Sequence, residues 1–96
     1  MSYRLKFLPV ALKEWRKLSP PIQTQFKNKL KQRLENPRTP AARLHGFQNV
    51  YKIKLKSSGY RLAYEVFDFD LVIMVLAVGK REKSKVYKKL EQRKKS

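Results

Sequence analysis

Basic residues stand at alternate positions in the middle of the chain, where they could bind a phosphodiester. Lys52, Lys54 and Lys56 alternate with apolar residues, and Arg61 follows a Ser-Ser-Gly sequence. An arginine presents a planar fork to phosphate oxygens, whereas a lysine offers a compact charge and can lose its proton when other cations crowd it. These residue types therefore predict a site that binds phosphate and could also move a proton.

The register of the surrounding strands decides whether these cations meet. Alternation predicts strands over 50–56 and 60–66, joined by a tight turn at 57–59. With the turn centred between Ser57 and Ser58, the two apolar faces match and Lys54 lies directly opposite Arg61. A slip of one residue would bury cations, so this register is favoured.

The predicted register concentrates positive charge on one sheet face. Like charges at directly opposed positions are destabilising, and Glu65 falls opposite Val50, where it cannot neutralise Lys54 and Arg61. Ordinary solvated surface or protection of a sheet edge is the competing explanation for alternating lysines. Arg61 opposite Lys54, and Arg81 after the next strand, favour a phosphate site instead.

The composition indicates a folded domain with a polyanionic partner. The 96 residues include 24 Lys and Arg against 7 Asp and Glu, a net charge of +17, and 42% of the residues are hydrophobic. That length predicts one domain over 1–96. Because like charges oppose compaction, the excess is expected to meet nucleic acid, with an acidic membrane surface or an acidic protein as less favoured partners.

Several classes of site and location are not expected from this composition. The chain has no cysteine, which excludes disulfides, thiolate zinc sites and a cysteine nucleophile. One histidine and scattered acids do not predict a metal site, and no cofactor is expected. The longest apolar run, 71–78, is too short to span a bilayer, and the first residues lack a signal peptide's apolar stretch, so a cytoplasmic protein is expected.

The remaining periodicities predict an α+β domain that can position the cations. A strand is predicted over 2–8, then a helical hairpin that begins at Pro9, restarts at Ser19-Pro20 and ends before Asn36-Pro37. The region 38–48 is irregular. The apolar segment 71–78 should lie inside the sheet, with the N-terminal strand as its second neighbour. A basic C-terminal helix and tail are predicted after Gly79, over about 81–96.

Three runs of this sequence resemble the RelE family of bacterial toxins. They are 12–18 (LKEWRKL), 50–62 (VYKIKLKSSGYRL) and 78–82 (VGKRE) with Val86-Tyr87, and they keep their order and spacing over nearly the whole chain. The resemblance implies a compact α+β fold with an antiparallel sheet and flanking helices. It also implies a toxin that cleaves mRNA in the ribosomal A site, with its functional positions at Lys52, Lys54, Arg61, Arg81 and Tyr87. His45 departs from the arginine that family members can carry there.

The resemblance gives roles to these residues. The 2′-hydroxyl of the RNA would attack the adjacent phosphorus, which leaves a 2′,3′-cyclic phosphate and a 5′-hydroxyl. Lys52 or Lys54 could accept the proton, with Tyr87 as the rival base or as a platform for a displaced base. Arg61 and Arg81 would bind the scissile phosphate, Arg81 near the leaving oxygen, although arginine gives up a proton poorly.

The resemblance also implies partners. The ribosome, with its 16S rRNA and A-site mRNA, would meet exposed basic residues that add salt-dependent affinity without reading bases. On the helices these docking residues are Lys13, Arg16, Lys17, Lys27, Lys29, Lys31 and Arg33, and elsewhere Arg43, His45 and Lys56. A RelB-like antitoxin would wrap the toxin and displace or cover the C-terminal helix and the basic face, and operator DNA would be bound only through that complex.

Two other functions stay open from the sequence. The same cations could form a nucleic-acid-binding module without catalysis, which would bind RNA and produce no new 5′-hydroxyl ends. A gyrase-inhibiting toxin of the related ParE type would share the fold and act on a protein, but the concentrated Lys/Arg face argues against it.

Overall fold

The computed structural model describes residues 2–80 together with Lys88, Gln92 and Arg93. In chain order the elements are β1 (Arg4–Phe7), α1 (Pro9–Arg16), α2 (Pro20–Glu35), a short 3-10 helix (Pro40–Ala42), β2 (Val50–Lys54), β3 (Tyr60–Phe67) and β4 (Val72–Lys80). This order confirms the predicted α+β fold. None of the helices in this described part has the length and hydropathy that crossing a bilayer would require.

The strands form one four-stranded sheet in the order β1-β4-β3-β2. The apolar strand β4 lies inside the sheet with β1 on its other side, as predicted. The expectation of an antiparallel sheet is wrong in one respect, because β1 runs parallel to β4 while the other two pairs are antiparallel. The helical hairpin returns the chain to the end of the sheet where β1 starts, so β2 and β4 run in the direction of β1.

Proline starts both helices where the sequence placed it. Pro9 and Pro20 each occupy the first turn, where a missing N–H removes no helical hydrogen bond. Helix α1 buries Ala11 and Trp15, and α2 buries Phe26 and Leu30. These side chains recur every four residues, which puts them on one helix face toward the sheet.

The main core lies between the helices and one face of the sheet. Trp15 packs against Phe7 and Phe26, at ring-centroid separations of 5.4 and 6.1 Å. The sheet contributes buried residues from alternate positions, which include Tyr51, Ile53, Leu62, Tyr64 and Ile73. Tyr60 is half-buried and packs against this core. The residues between these positions must point to the other face, which α1 and α2 do not cover.

The end of β4 differs from the prediction. The strand continues through Lys80, which was expected to begin the C-terminal helix, and the Lys80 ammonium lies 5.9 Å from the centre of the Tyr60 ring. The predicted C-terminal helix over 81–96 falls outside the described residues except for Lys88, Gln92 and Arg93, which are helical.

Candidate nucleic-acid interface

The register of β2 and β3 brings three of the predicted site residues together. Lys54 lies directly opposite Arg61, and Lys52 lies opposite Ala63. Directly opposed residues of an antiparallel pair project to the same face. Lys52, Lys54 and Arg61 therefore share the sheet face that points away from the helices, and we call these three residues the cation cluster.

Small side chains surround the cation cluster within the sheet. Arg61 pairs with Gly79 of β4, and Ala63 pairs with Ala77. A second, smaller apolar cluster on this face joins Ala63 and Ala77 to Leu44 and Val50, with Phe47 packed against it. The loop between α2 and β2 thus covers part of this face, and the cations stand beside buried apolar residues.

Arg61 provides a donor without an acceptor. Its Nε is buried and has no hydrogen-bond partner among the residues that the structure describes. A buried donor without a partner costs about 1–3 kcal/mol, and Arg61 also faces Lys54 across the strand pair. Such an arrangement is unfavourable for the protein alone, and an anion placed against Arg61 would relieve it.

Arg33 of α2 contacts β2, the strand that carries Lys52 and Lys54, from the sheet face on which the helices pack. Its Nη1 donates to the carbonyl oxygen of Lys52 at 3.1 Å and to the hydroxyl of Tyr64 at 2.8 Å. The guanidinium carbon also lies 5.8 Å from the centre of the Tyr64 ring. Arg33 was predicted to be a docking contact, but it is half-buried and engaged in these contacts. That prediction is corrected, because the helix turns Arg33 toward the sheet.

Tyr64 links this arginine to the loop after α2. The Tyr64 hydroxyl donates to the carbonyl oxygen of Pro37 at 2.7 Å, and its ring stacks on Tyr51 at 5.9 Å. Burial raises the pKa of Tyr64, while Arg33 acts in the opposite direction. Tyr64 therefore stays a neutral phenol at physiological pH, able to donate to Pro37 and accept from Arg33 at once.

The other predicted docking residues are exposed, and those on the helices do not gather around the cation cluster. The helices pack on the opposite sheet face, so the cations of α1 and α2 lie on the other side of the sheet. The exposed positions are Lys13, Arg16, Lys17, Lys27, Lys29, Lys31, Arg43, His45 and Lys56. Their contact with RNA or the ribosome stays a prediction.

Two predicted site residues lie outside the described residues. These are Arg81, which follows the last residue of β4, and Tyr87. Within the described ranges, no group of three His, Cys, Asp or Glu side chains is placed to hold a metal ion.

Sequence reasoning missed a polar network between the N-terminus and two loops. Asp68, in the turn between β3 and β4, accepts hydrogen bonds from the Tyr3 hydroxyl at 2.7 Å and from Arg38, which also donates to Asn49 at 2.8 Å. The hydrogen bond from Tyr3 and then that from Arg38 lower the pKa of Asp68. No spacing rule connects residues so far apart in the chain, so only the fold reveals this network.

Comparison with known proteins places the chain among bacterial toxins. The model of the family described as the ParE toxin of the type II toxin–antitoxin system parDE matches residues 5–84. The mRNA interferase toxin RelE of Escherichia coli strain K12 is 52% identical over 93 residues, which cover 97% of this chain and 98% of that protein. The mRNA interferase RelE of Shigella flexneri matches with the same identity and coverage.

Solved structures match over similar lengths. The structure of a double mutant of the E. coli toxin RelE in the free state gives a TM-score of 0.90 at 50% identity, covering 97% of this chain and 98% of that chain. A chain from the intact E. coli RelBE toxin–antitoxin complex gives a TM-score of 0.83 at 51% identity, covering 85% of this chain and all of its own length.

Proposed function

Because this chain belongs to the ParE/RelE family of toxins from type II toxin–antitoxin systems, we propose that it is an endoribonuclease that cleaves mRNA in the ribosomal A site. One observation carries the proposal: Arg61, with a buried Nε that lacks a partner among the described residues, lies directly opposite Lys54. An RNA phosphate would give the Arg61 guanidinium an anionic partner.

The reaction needs no external nucleophile. The RNA 2′-hydroxyl gives its proton to a base as the bond between O2′ and phosphorus forms, and the bond to O5′ breaks. Lys52 or Lys54, as a neutral amine, takes the proton. The products are a 2′,3′-cyclic phosphate and a 5′-hydroxyl. The leaving O5′ takes up a proton to form that hydroxyl.

Arg61 stabilises the charge that develops on the phosphate. A pentavalent phosphorus carries more negative charge than the ground state, so a fixed cationic donor stabilises the transition state more than the substrate. Arg61 meets that need since its strand pairing with Lys54 and Gly79 fixes its backbone. Arg81 would be a second phosphate ligand and Tyr87 a base or stacking platform; both lie outside the described residues.

The ribosome supplies what this site lacks. The cation cluster itself contains no histidine and relies on lysines for proton transfer, so substrate alignment must provide much of the rate. A bent A-site mRNA would be delivered in the in-line geometry. The exposed helix cations would dock on 16S rRNA from the other side of the sheet, with the salt dependence of phosphate contacts.

A RelB-like antitoxin would neutralise the toxin. E. coli RelE is found with RelB in a solved complex, and the net charge of +17 on this chain suits an acidic partner. The antitoxin would cover the cation cluster, and the pair would bind operator DNA through the antitoxin. Loss of cleavage when a RelB-type antitoxin is added, with recovery after its proteolysis, is the expected behaviour.

Primer extension on a translated message tests the activity. We expect cuts at A-site codons with ribosomes and little cleavage of free RNA. Arg61→Gln should reduce cleavage by at least about 100-fold, the range for loss of one donor to a developing charge. Arg4→Gln is the matched control, since it removes an exposed arginine from β1 at the opposite edge of the sheet, and it should cleave like the wild type. An Arg81→Ala variant run alongside tests the second phosphate ligand.

The result that would overturn the proposal is equally specific. Arg61→Gln that folds and cuts at the wild-type rate removes the site assignment. Binding to ribosomes without new 5′-hydroxyl ends would favour a non-catalytic RNA-binding module. Inhibition of DNA supercoiling by gyrase, without any cut in the message, would favour a toxin of the ParE type.

A further inference from the structure

A cavity lies at the outer edge of β2, away from the cation cluster. Its volume is about 460 Å³, and its lining residues are Arg38, Arg43, Gln48, Asn49 and Tyr51. Every one of these side chains carries a hydrogen-bond donor, and no carboxylate is among the lining residues that the structure describes. The mechanism proposed above makes no use of this cavity.

The loop before β2 builds the cavity by pairing with the strand's free edge. Arg43 forms an isolated antiparallel bridge with Tyr51, and the Leu44 N–H donates to the Val50 carbonyl oxygen at 2.9 Å. Arg43 and Tyr51 therefore share the helix-side face of the sheet. The loop is closed by Gly46 and Asn49, both with positive φ, at 87° and 60°.

One arginine of the cavity is fixed before any ligand arrives. Arg38 donates to Asn49 Oδ1 at 2.8 Å and pairs with Asp68. Hydrogen bonds to Asp68 and then to Tyr51 raise the pKa of Arg38, so its charge is permanent. A guanidinium held in one orientation loses little further rotamer freedom on binding.

The second arginine of the cavity, Arg43, is available to bind a ligand. Arg43 is exposed, and its guanidinium makes no hydrogen bond or ion pair with any part of the chain that the structure describes. Asp68 balances the charge of Arg38, so the cavity keeps the positive charge of Arg43. Planar guanidinium donors with neighbouring amide N–H groups match the oxygens of a phosphate.

We propose that this cavity binds a backbone phosphate of single-stranded RNA, separate from the phosphate that is cleaved. The proposal rests on the proposed function in taking RNA as the polyanion. Neighbours along β2 project to opposite faces, so Tyr51 lines the cavity while Lys52 belongs to the cation cluster. An RNA strand that crosses the β2 edge can therefore contact both sites, and the cavity phosphate anchors the strand beside the reacting one.

Phosphate binding can be tested without any cleavage. Inorganic phosphate is titrated into the full-length ¹⁵N-labelled protein while the arginine Nε–H signals and the side-chain amide signals of Gln48 and Asn49 are followed. We expect saturable shifts that Arg43→Gln weakens by about fivefold or more, as loss of a charge-assisted contact predicts. Arg43→Lys keeps the charge but lacks the planar guanidinium, so its phosphate affinity should lie between those of the wild type and Arg43→Gln. Arg4→Gln, at the opposite sheet edge, should match the wild type. Absent or non-saturable shifts overturn the proposal.

RNA binding provides the second arm. A short RNA with 2′-O-methyl groups cannot be cleaved, and its affinity is measured by fluorescence anisotropy over a range of salt concentrations. Arg43→Gln should reduce the slope of log K against log salt by about 0.7, the value for one single-strand phosphate contact, and Arg4→Gln should not. Equal effects of the two variants would mean that only net charge matters and would overturn the proposal, as would phosphate shifts without any change in the RNA slope.

The two proposals fail in different ways. A wild-type protein that shows the cavity shifts and the Arg43-dependent slope, yet never cuts a translated message, contradicts the proposed endoribonuclease alone. A protein that cuts normally, with no specific effect of Arg43→Gln on phosphate or RNA binding, contradicts the cavity site alone.

Discussion

Glu14 and Arg93 form a bidentate ion pair over the part of β4 that β1 leaves uncovered. The pairing of β1 with β4 spans only Val72 to Val75. Beyond it, Glu14 Oε1 accepts from the Val78 N–H at 3.0 Å, and Arg93 Nη1 donates to the Leu76 carbonyl oxygen at 2.6 Å. Arg93 Nη1 and Nη2 donate to Glu14 Oε1 and Oε2, each at 3.1 Å. The side chains of Glu14 and Arg93 thus make the hydrogen bonds to the β4 backbone that a neighbouring strand would otherwise make.

Glu14→Gln should therefore destabilise the fold. Glutamine can still accept from the Val78 N–H, but it removes the ion pair with Arg93, whose side chain is only 15% exposed. We expect a loss of about 1–3 kcal/mol in the free energy of unfolding, measured by urea denaturation of the wild type and the variant at equal salt. Glu35→Gln, on the exposed end of α2, is the control for loss of one carboxylate.

A double-mutant cycle tests whether the two residues act together. Arg93→Gln combined with Glu14→Gln should cost less than the sum of the single changes, because each single change already breaks the pair. Strict additivity of the two effects would show that Glu14 and Arg93 stabilise the protein independently.

Arg33 should matter to both stability and cleavage, although it lies on the helix side of the sheet. Arg33→Gln removes the donors to the Lys52 carbonyl oxygen and the Tyr64 hydroxyl, so we expect a loss of about 1–2 kcal/mol in the free energy of unfolding. The backbone beneath Lys52 then moves more freely, and cleavage should fall in kcat more than in KM. Lys29→Gln, one turn earlier and exposed, should change stability by less than about 0.5 kcal/mol.

Asp68 should contribute to the loss of stability in acid. Its folded-state pKa is lowered, first by the hydrogen bond from Tyr3 and then by that from Arg38. Such a carboxylate stabilises the fold at pH values above its unfolded-state pKa of about 4, and the contribution disappears as pH falls through the lower folded-state pKa. Asp68→Asn should flatten the stability profile below about pH 4 relative to the wild type. Parallel profiles for the two proteins would contradict this assignment.

Much of the fold follows from local patterns. Alternating apolar residues predicted the register of β2 against β3, because a slip of one residue would bury Lys54. Proline placed the starts of α1 and α2 correctly. The apolar content of β4 predicted its interior position in the sheet. Each of these depends on residues close in sequence, where periodicity and steric limits act directly.

Contacts between distant segments were not predictable in the same way. Arg33 has the same charge as its exposed neighbours on α2, and only the packing angle of the helix turns it onto Tyr64. The pairing of Arg38 with Asp68 joins loops thirty residues apart. The direction of β1 was not predictable from local patterns either, because it depends on where the helical hairpin returns the chain.

Arg61→Met should stabilise the protein while it abolishes cleavage. Methionine retains apolar volume but removes the buried Nε, which has no acceptor among the described residues, and the charge that faces Lys54 across the strand pair. We expect the free energy of unfolding to rise by about 0.5–1.5 kcal/mol, measured by urea denaturation, and cleavage of A-site mRNA to fall at least about 100-fold. If Arg61 instead stabilised the fold, Arg61→Met would lower the free energy of unfolding. Destabilisation by Arg61→Met would therefore mean that Arg61 supports the sheet, and its place in a phosphate site would lose its physical basis.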